Sequence, residues 1–490
     1  MAVVKRVHWD SRTAFVLAAI GSAIGLGNIW RFPYICYKYG GGAFLIPYFV
    51  ALLTAGIPLL ILEFAIGHRM ASSAPMSFRK ISKNTEWIGW FALLVGFGIV
   101  CYYAVIMGWA AKYLLHSFTL AWGTDTKTFF FSRMLNLSSG VFEVGKPQGF
   151  LVLALFICWV WIILSTWKGV KTVGKVVYVT VTLPWLMLII FVIRGLTLPG
   201  AMEGVKYYLT PNFKALADPE VWHAAYSQIF FTLTVGFGVM IAYASFLPRK
   251  SDIVNNAILI GLANCATSYV AGFAVFSTLG YYAHVSGTTV ANVMKSGPEL
   301  AFVTYPTIIN HLPLANLFGI FFFVMLLTLG IDSAFSLTEA IVAGVRDKFK
   351  WNQKAINITV GTIAFAVGII FTTRSGLYWL DIVDHFMNNF GLFMVGLFEA
   401  IFIGYIFGAD KLRKYANDLS ELSVGRWWNF AIRYFIPFVC LGLLVYSLTE
   451  RILKPYGGYP RLAEFLGGWL ILIVFLVVSI IFSKMKSKEE

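Results

Sequence analysis

Charge is scarce in this sequence. Only 12% of its 490 residues are Asp, Glu, Lys or Arg, against about 25% in soluble domains. That shortage excludes an ordinary globule solvated by water on all sides. Cysteine is scarce too. Cys36, Cys101, Cys158, Cys265 and Cys440 are scattered through apolar stretches, with no metal-ligand spacing and no pair in one outer loop. They read as small apolar packing residues, not as a disulfide framework or a metal site. No histidine cluster, nucleophile elbow or phosphate loop occurs. The tetrapeptide GLGN (25–28) is too short for a dinucleotide fingerprint and follows no strand, so the chain is not read as an enzyme. No small-residue cleavage site follows the first apolar run, so no removable signal peptide is expected.

Apolar residues fill the gap. They make up 59% of the chain, and the mean hydropathy is +0.77. They come in long runs such as LVLALFICWVWIIL (151–164), VVYVTVTLPWLMLIIFVI (176–193) and GGWLILIVFLVVSIIF (467–482). A bilayer core takes about 20 apolar residues per helix. Twelve candidate spans follow: 12–35, 43–68, 87–116, 148–166, 174–196, 221–246, 252–283, 314–346, 354–371, 379–408, 428–447 and 462–484. The expected fold class is an all-α membrane protein. The net charge of +15 would suggest nucleic acid in a soluble chain. Here, with the N-terminus inside, the inner loops and tails hold the larger share of the Lys and Arg. This bias puts both termini in the cytoplasm and calls for a lipid bilayer, not nucleic acid, as partner. Asn136-Leu137-Ser138 matches a glycosylation sequon, a weak signal with no meaning in a prokaryotic cell.

Two spans break their own pattern. The first contains SAIGLGN (22–28) and the sixth TLTVGFG (232–238). Each is apolar on both sides and interrupted midway by glycine with amide or hydroxyl residues. One such span reads as glycine for close helix packing. Two, five spans apart, read as corresponding positions of an inverted repeat with the binding site between them. Spans 1–5 (12–200) and 6–10 (221–408) would be the repeats, and 428–484 an addition. An unwound segment frees backbone groups, each costing several kcal/mol in lipid unless something polar meets it. Freed N–H groups attract anions and freed carbonyls attract cations.

GSAIGLGNIWRFPYICYKYGGGAFLIPYF (21–49) resembles the first two spans of the neurotransmitter:sodium symporters. The resemblance continues through SQIFFTLTVGFG (227–238), NCATSYVAGF (264–273), SGPELAFVTYP (296–306) and TLGIDSAF (328–335), and runs from about residue 5 to 484. It implies twelve helices in a five-plus-five inverted repeat. It implies coupling of inward sodium flow to uptake of amino acids or related amines.

By that resemblance one sodium site uses the Ala23 carbonyl, Asn28, Asn264, Thr232 and the substrate carboxylate. A second uses the carbonyls of Gly21, Ile24 and Leu329 with Asp332 and Ser333. An aspartate near the bilayer centre already reads as an ion site on its own. Amides around Leu26 and Gly27, with the Tyr103 hydroxyl, would hold the substrate carboxylate. Carbonyls near Ala23, Phe231 and Thr232 would take the amino group. Ser22, Ile99, Phe231, Thr234, Phe237, Ser333 and Leu337 would line the side-chain space. Gly25 stands where biogenic-amine transporters carry Asp, so the carboxylate must arrive with the substrate. A neutral aliphatic or medium-sized amino acid is expected, with γ-aminobutyrate, taurine or betaine as the alternative. Arg31 and Asp384 would close an outer gate, with Phe237 as lid. Arg6 and Asp347 would close an inner one, with Trp9 plugging the exit. Such pairs form and break each cycle and are worth about 1 kcal/mol or less. Phe246 replaces the usual Tyr and offers Arg6 a cation–π contact. Glu63 would accept hydrogen bonds from the unwound sixth span.

Tyr48, Gln228, Thr232, Asn264 and Ser268 match the animal-type chloride site, whereas chloride-independent bacterial relatives have an acid at the position of Ser268. The expected ions are two sodium and one chloride. A channel or a non-transporting sensor of the same fold are the other readings; the paired gates and intact ion-ligand sets weigh against them. The loop between the third and fourth spans lacks the cysteine pair of animal members. A prokaryotic inner membrane is therefore expected, with the protein a monomer or weak homodimer.

Overall fold

The computed structural model describes residues 8–295 and 297–487. Among these residues every regular element is a helix, and the only strand-like pairing is an isolated bridge between Gly41 and Pro211. Lipid dictates this: a spanning segment must satisfy its own backbone, and a helix does so residue by residue.

Nine of the described helices are long and apolar enough to cross a membrane: Gly42–Met70, Lys83–Ser117, Val170–Leu196, Val254–Val285, Ala315–Phe349, Gln353–Thr372, Gly376–Leu419, Arg426–Gly458 and Arg461–Lys484. A tenth is a bent pair, Arg12–Ala23 and Leu26–Lys38, kinked by 60°. Of the twelve spans expected, two fall short by length. The fourth is a helix of 17 residues, Gly149–Ser165. The sixth is two pieces, Pro219–Thr232 and Val239–Ala244.

The spans are unequal in what they face. The most apolar stretch of Lys83–Ser117 is 89% buried, whereas that of Arg461–Lys484 is 22% buried. A helix apolar on every side is either a core element or a lipid-facing one, and this chain contains both. Lys83–Ser117 packs along Ala315–Phe349, and Arg12–Ala23 leans on that same helix. Val239–Ala244 packs between Ile57–Met70 and Ala315–Phe349. Both broken spans therefore sit in the interior, where freed backbone groups meet protein and not lipid.

Candidate functional site: two cavities at the broken helices

The first break is short. Ile24 (φ −85°, ψ 107°) and Gly25 (φ −131°, ψ −167°) are extended, and the helix restarts at Leu26. Two amides freed there find side chains. Gly25 N–H donates to Asn28 Oδ1 at 2.8 Å and Leu26 N–H to Tyr103 Oη at 3.1 Å. The second break is longer and left-handed, with Thr234 (φ +54°), Gly236 (φ +80°) and Gly238 (φ +69°). Glycine accepts such angles freely, which explains GFG in the sequence. A β-branched residue does not, so Thr234 carries strain of roughly 1–3 kcal/mol. Its hydroxyl donates to the Ser22 carbonyl at 3.0 Å, tying one break to the other. Gly236 N–H donates to Glu63 Oε1 at 2.7 Å, the contact expected of that glutamate.

Between the breaks lies a cavity of about 30 Å³, room for about two or three waters. It is lined by Ser22, Ala23, Gly25, Gly27, Asn28, Ile99, Tyr103, Phe231, Thr232, Thr234, Phe237, Ser333 and Leu337. The residues expected at the substrate are thus gathered on one hollow, apart from Leu26. Leu26 borders the next cavity outward, because only its backbone N–H turns toward Tyr103. Asn28 joins the wall unexpectedly. A Cβ built on Gly25 would stand 2.9 Å from both Tyr103 Oη and Ser333 Oγ. No larger side chain fits there without displacing both hydroxyls.

A second cavity, of about 440 Å³, continues from the first and is bordered by Arg31, Asp384, Asp381, His385 and Tyr102 among others. Phe231 borders both cavities, whereas Phe237 borders only the smaller one. Phe231, and not Phe237, stands where the two cavities meet, the place expected of a lid. The left-handed turns from Thr234 to Gly238 swing Phe237 toward Gly96 and Leu337 instead. The Arg31 guanidinium lies over the Phe231 ring, 4.9 Å from its centroid, and donates to Ser227 Oγ at 3.2 Å. Asp384 accepts from Tyr102 Oη at 2.6 Å and Asn388 Nδ2 at 2.8 Å. Arg31 and Asp384 face one cavity without forming an ion pair, so the expected gate contact is open in this conformation.

The opposite end is closed. Trp9 is buried, its ring nitrogen donates to the Tyr243 carbonyl at 2.9 Å, and its backbone N–H donates to the Phe246 carbonyl at 3.1 Å. Asp347 accepts from the Ser73 N–H at 2.7 Å. Arg6, expected opposite Asp347, lies outside the described residues. Among the described residues the guanidinium over Phe246 is that of Arg346, 5.6 Å from the ring centroid. Arg346 reaches it from the end of the helix that carries Asp332.

Two polar clusters flank the small cavity. In one, Asp332 is buried and its Oδ1 accepts from Thr180 Oγ1 at 2.5 Å. A Cβ on Gly21 would come within 2.9 Å of Asp332 Oδ2, so the Gly21 backbone lies against this carboxylate. Ser333 Oγ donates to the Ser22 carbonyl at 3.3 Å. Ile24 and Leu329 border one small hollow beside the cluster. In the other, Asn28 Nδ2 donates to Asn264 Oδ1 at 3.0 Å and to Ser268 Oγ at 2.8 Å, and Thr232 Oγ1 to Asn264 Oδ1 at 3.2 Å. Tyr48 Oη donates to Ser268 Oγ at 3.3 Å. Gln228 is buried with both side-chain amide atoms unpartnered, and Asn264 Nδ2 is likewise buried and unpartnered. Buried polar atoms seldom stay so.

Sequence reasoning missed three partners. Thr180 holds Asp332, Tyr102 holds Asp384, and Ser336 accepts from Ser22 Oγ at 2.7 Å. Thr180 stands in VVYVTVT, where a hydroxyl looks like filler in an apolar run.

Interior broken helices, a small hollow between them and a wider one on one side define a membrane transporter, not an enzyme. The chain belongs to the Sodium:neurotransmitter symporter family, whose family model matches residues 6–129 and 123–489. It is 44% identical over 490 residues to an uncharacterized sodium-dependent transporter of Methanocaldococcus jannaschii, covering 99% of each chain. It is 35% identical to the human sodium- and chloride-dependent GABA transporter 2, over 96% of this chain and 85% of that one. It is 35% identical to the rat sodium- and chloride-dependent taurine transporter, over 97% of this chain and 84% of that one. The protein is a sodium-dependent transporter of this family.

Proposed function

We propose that this protein imports a neutral amino acid of small to medium size, coupled to two sodium ions and one chloride, by alternating access. The observation that carries the reading is Gly25. Its neighbours leave no room for an acidic side chain, so the negative partner for the amides and the Tyr103 hydroxyl comes with the substrate. The carboxylate would lie toward Tyr103 and the Leu26–Gly27 amides, and the amino group toward the carbonyls of Ala23, Phe231 and Thr232. Ile99, Phe237 and Leu337 would set the side-chain space. Because the hollow is small, a bulky side chain would have to push these residues apart.

The Asp332 cluster would hold one sodium with the carbonyls of Gly21, Ile24 and Leu329 and the Ser333 hydroxyl. Ala23, Asn28, Thr232 and Asn264 would hold the other. Two sodium ions, a zwitterion and Asp332 leave one positive charge in a low-dielectric interior, where unbalanced charge costs several kcal/mol. Chloride among Tyr48, Gln228, Thr232, Asn264 and Ser268 would cancel it, and the unpartnered amides of Gln228 and Asn264 support that placement. Arg31 with Asp384, and Arg6 with Asp347, would alternate as outer and inner gates, with Trp9 plugging the inner exit. A prokaryotic inner membrane with cytoplasmic termini suits the archaeal relative and the short loop after the third span. The expected state is a monomer or weak homodimer.

The second reading is a longer amino acid such as γ-aminobutyrate or taurine, favoured by what the mammalian relatives are named for. A binding screen of the twenty amino acids, γ-aminobutyrate, taurine and betaine, run in sodium and repeated in potassium, tests both. Proteoliposomes should then concentrate the best ligand only under an inward sodium gradient. Equal uptake in potassium would refute the proposal.

A further inference from the structure

The span from Val170 to Leu196 is two helices, Val170–Thr180 and Thr182–Leu196, joined at Val181. Pro184, four residues beyond Thr180, has no N–H to offer the Thr180 carbonyl, so the first helix cannot run on unbroken. The seam lies against the Asp332 cluster. Val181 packs on the Gly21 backbone, where a Cβ would come within 2.6 Å of Val181 Cγ2. Thr180 is buried beside it.

A threonine in a helix ordinarily gives its hydroxyl proton back to the carbonyl four residues earlier. That carbonyl, of Val176, is 3.2 Å from Thr180 Oγ1, whereas Asp332 Oδ1 is 2.5 Å away. A hydroxyl has one proton to donate, and the shorter contact is the one to the carboxylate. The two oxygens of Asp332 are thereby divided. Thr180 holds Oδ1, and Oδ2 lies against Gly21, 2.9 Å from where a Cβ would stand. The terminal torsion of an aspartate is broad, so a carboxylate without such a tether turns freely and presents either oxygen to an ion. One tethered at Oδ1 presents Oδ2. We infer that Thr180 is a positioning residue for sodium, setting the Asp332 carboxylate so that Oδ2 faces the Gly21 backbone and the ion bound there. This role rests on the sodium site proposed for Asp332 and adds to it a residue from another span, which supplies no ligand of its own. Carboxylates that ligate metals are commonly held by such hydrogen bonds, and removing the holder costs about 10–100-fold in affinity.

The test follows sodium binding without substrate, when the other sodium site lacks the substrate carboxylate. The full chain in detergent is moved stepwise from potassium chloride to sodium chloride at constant ionic strength. The rise in melting temperature gives a sodium midpoint. Thr180→Val keeps the shape and removes the hydroxyl, and should raise the midpoint by about 10–100-fold. Thr180→Ser keeps the hydroxyl and should stay close to the wild-type midpoint. Thr180→Ala removes the same hydroxyl with less bulk and should match Thr180→Val, so the test stands if the valine packs poorly. In proteoliposomes the sodium concentration for half-maximal uptake should rise by the same factor, with the rate at saturating sodium changed far less. A loss of packing alone would lower the melting temperature in potassium and leave the sodium midpoint in place. Asp332→Asn runs alongside. If it keeps the wild-type midpoint, the sodium site at Asp332 falls, and the role of Thr180 with it. If it loses the response while Thr180→Val and Thr180→Ala keep the wild-type midpoint, the sodium site stands and the role of Thr180 is overturned. A shift in Thr180→Ser as large as in Thr180→Val overturns it too.

Discussion

The two polar clusters beside the small cavity look alike in composition and differ in what they lack. Around Asp332 the groups are acceptors: a buried carboxylate pressed against the Gly21 backbone, with the carbonyl of Ser22 close by. Among the described residues the Thr180 hydroxyl donates to Asp332. Around Ser268 the groups are hydroxyls and amides, with no acid among them, and the buried amide nitrogens of Gln228 and Asn264 are left unpartnered. An acceptor-rich cluster is completed by a cation and a donor-rich one by an anion. Under the proposed function the Asp332 cluster would suit a cation by its own charge, whereas the second cluster, which brings no acid, would take its sodium beside the substrate carboxylate and an anion at its Ser268 end.

The largest effect should come from erasing that carboxylate. Asp332→Asn keeps the shape and removes the charge. Losing one partner of a buried charge pair costs about 3–5 kcal/mol, so sodium-driven uptake in proteoliposomes should fall by roughly two to four orders of magnitude. Full sodium dependence in this variant would place the cation elsewhere. Next in size is the reverse operation, adding a carboxylate to the donor cluster. Replacing external chloride with gluconate should cut wild-type uptake severalfold. Ser268→Glu should transport equally well in either anion, because it carries its own negative charge. Identical wild-type rates in chloride and gluconate would erase the contrast between the clusters.

Smaller effects lie between the clusters. Tyr103→Phe removes the acceptor for the Leu26 N–H and a donor to the carboxylate. A hydrogen bond to a charged group contributes about 1.5–3 kcal/mol, so ligand affinity by isothermal titration should drop by roughly one to two orders of magnitude. The melting temperature without ligand should fall as well, since the buried Leu26 N–H is left without its acceptor, at a cost of about 1–3 kcal/mol. The smallest effect is expected of Phe231→Leu. It keeps bulk between the two cavities but loses the ring under Arg31, and should speed ligand dissociation by a few-fold in a washout assay.

How much of this was legible in the sequence varies by physical cause. The breaks were, because two glycine-interrupted spans lying five spans apart are hard to explain by helix packing alone. The wall of the small cavity followed, since most of its residues lie within a few positions of a break or on the resemblance. The lid was not. Phe231 stands at the end of the helix before the break and borders both cavities, whereas the left-handed residues at 234, 236 and 238 carry Phe237 to the smaller cavity alone, a course the sequence pattern does not reveal. Asp384's other partners were not legible: the expected Arg31 pair is one that opens and closes, and while it stands open Tyr102 and Asn388 take the carboxylate. The span count was legible only by pattern. Gly149–Ser165 is short, and the sixth span is split by its own glycines.

The Phe231 ring also sets a timescale. It sits against Gly27 on one side, where a Cβ would come within 2.9 Å of its edge, and under the Arg31 guanidinium on the other. A molecule leaving the small cavity outward must swing this ring aside and give up the cation–π contact, worth roughly 0.5–2 kcal/mol. On an exponential scale that lengthens the stay of the bound molecule by roughly two- to thirtyfold. Under the proposed function Arg31 would then act as a clock as well as a counter-charge, holding the cargo long enough for a slower rearrangement at the Trp9 end to begin and lightly enough that an unproductive visit is soon undone.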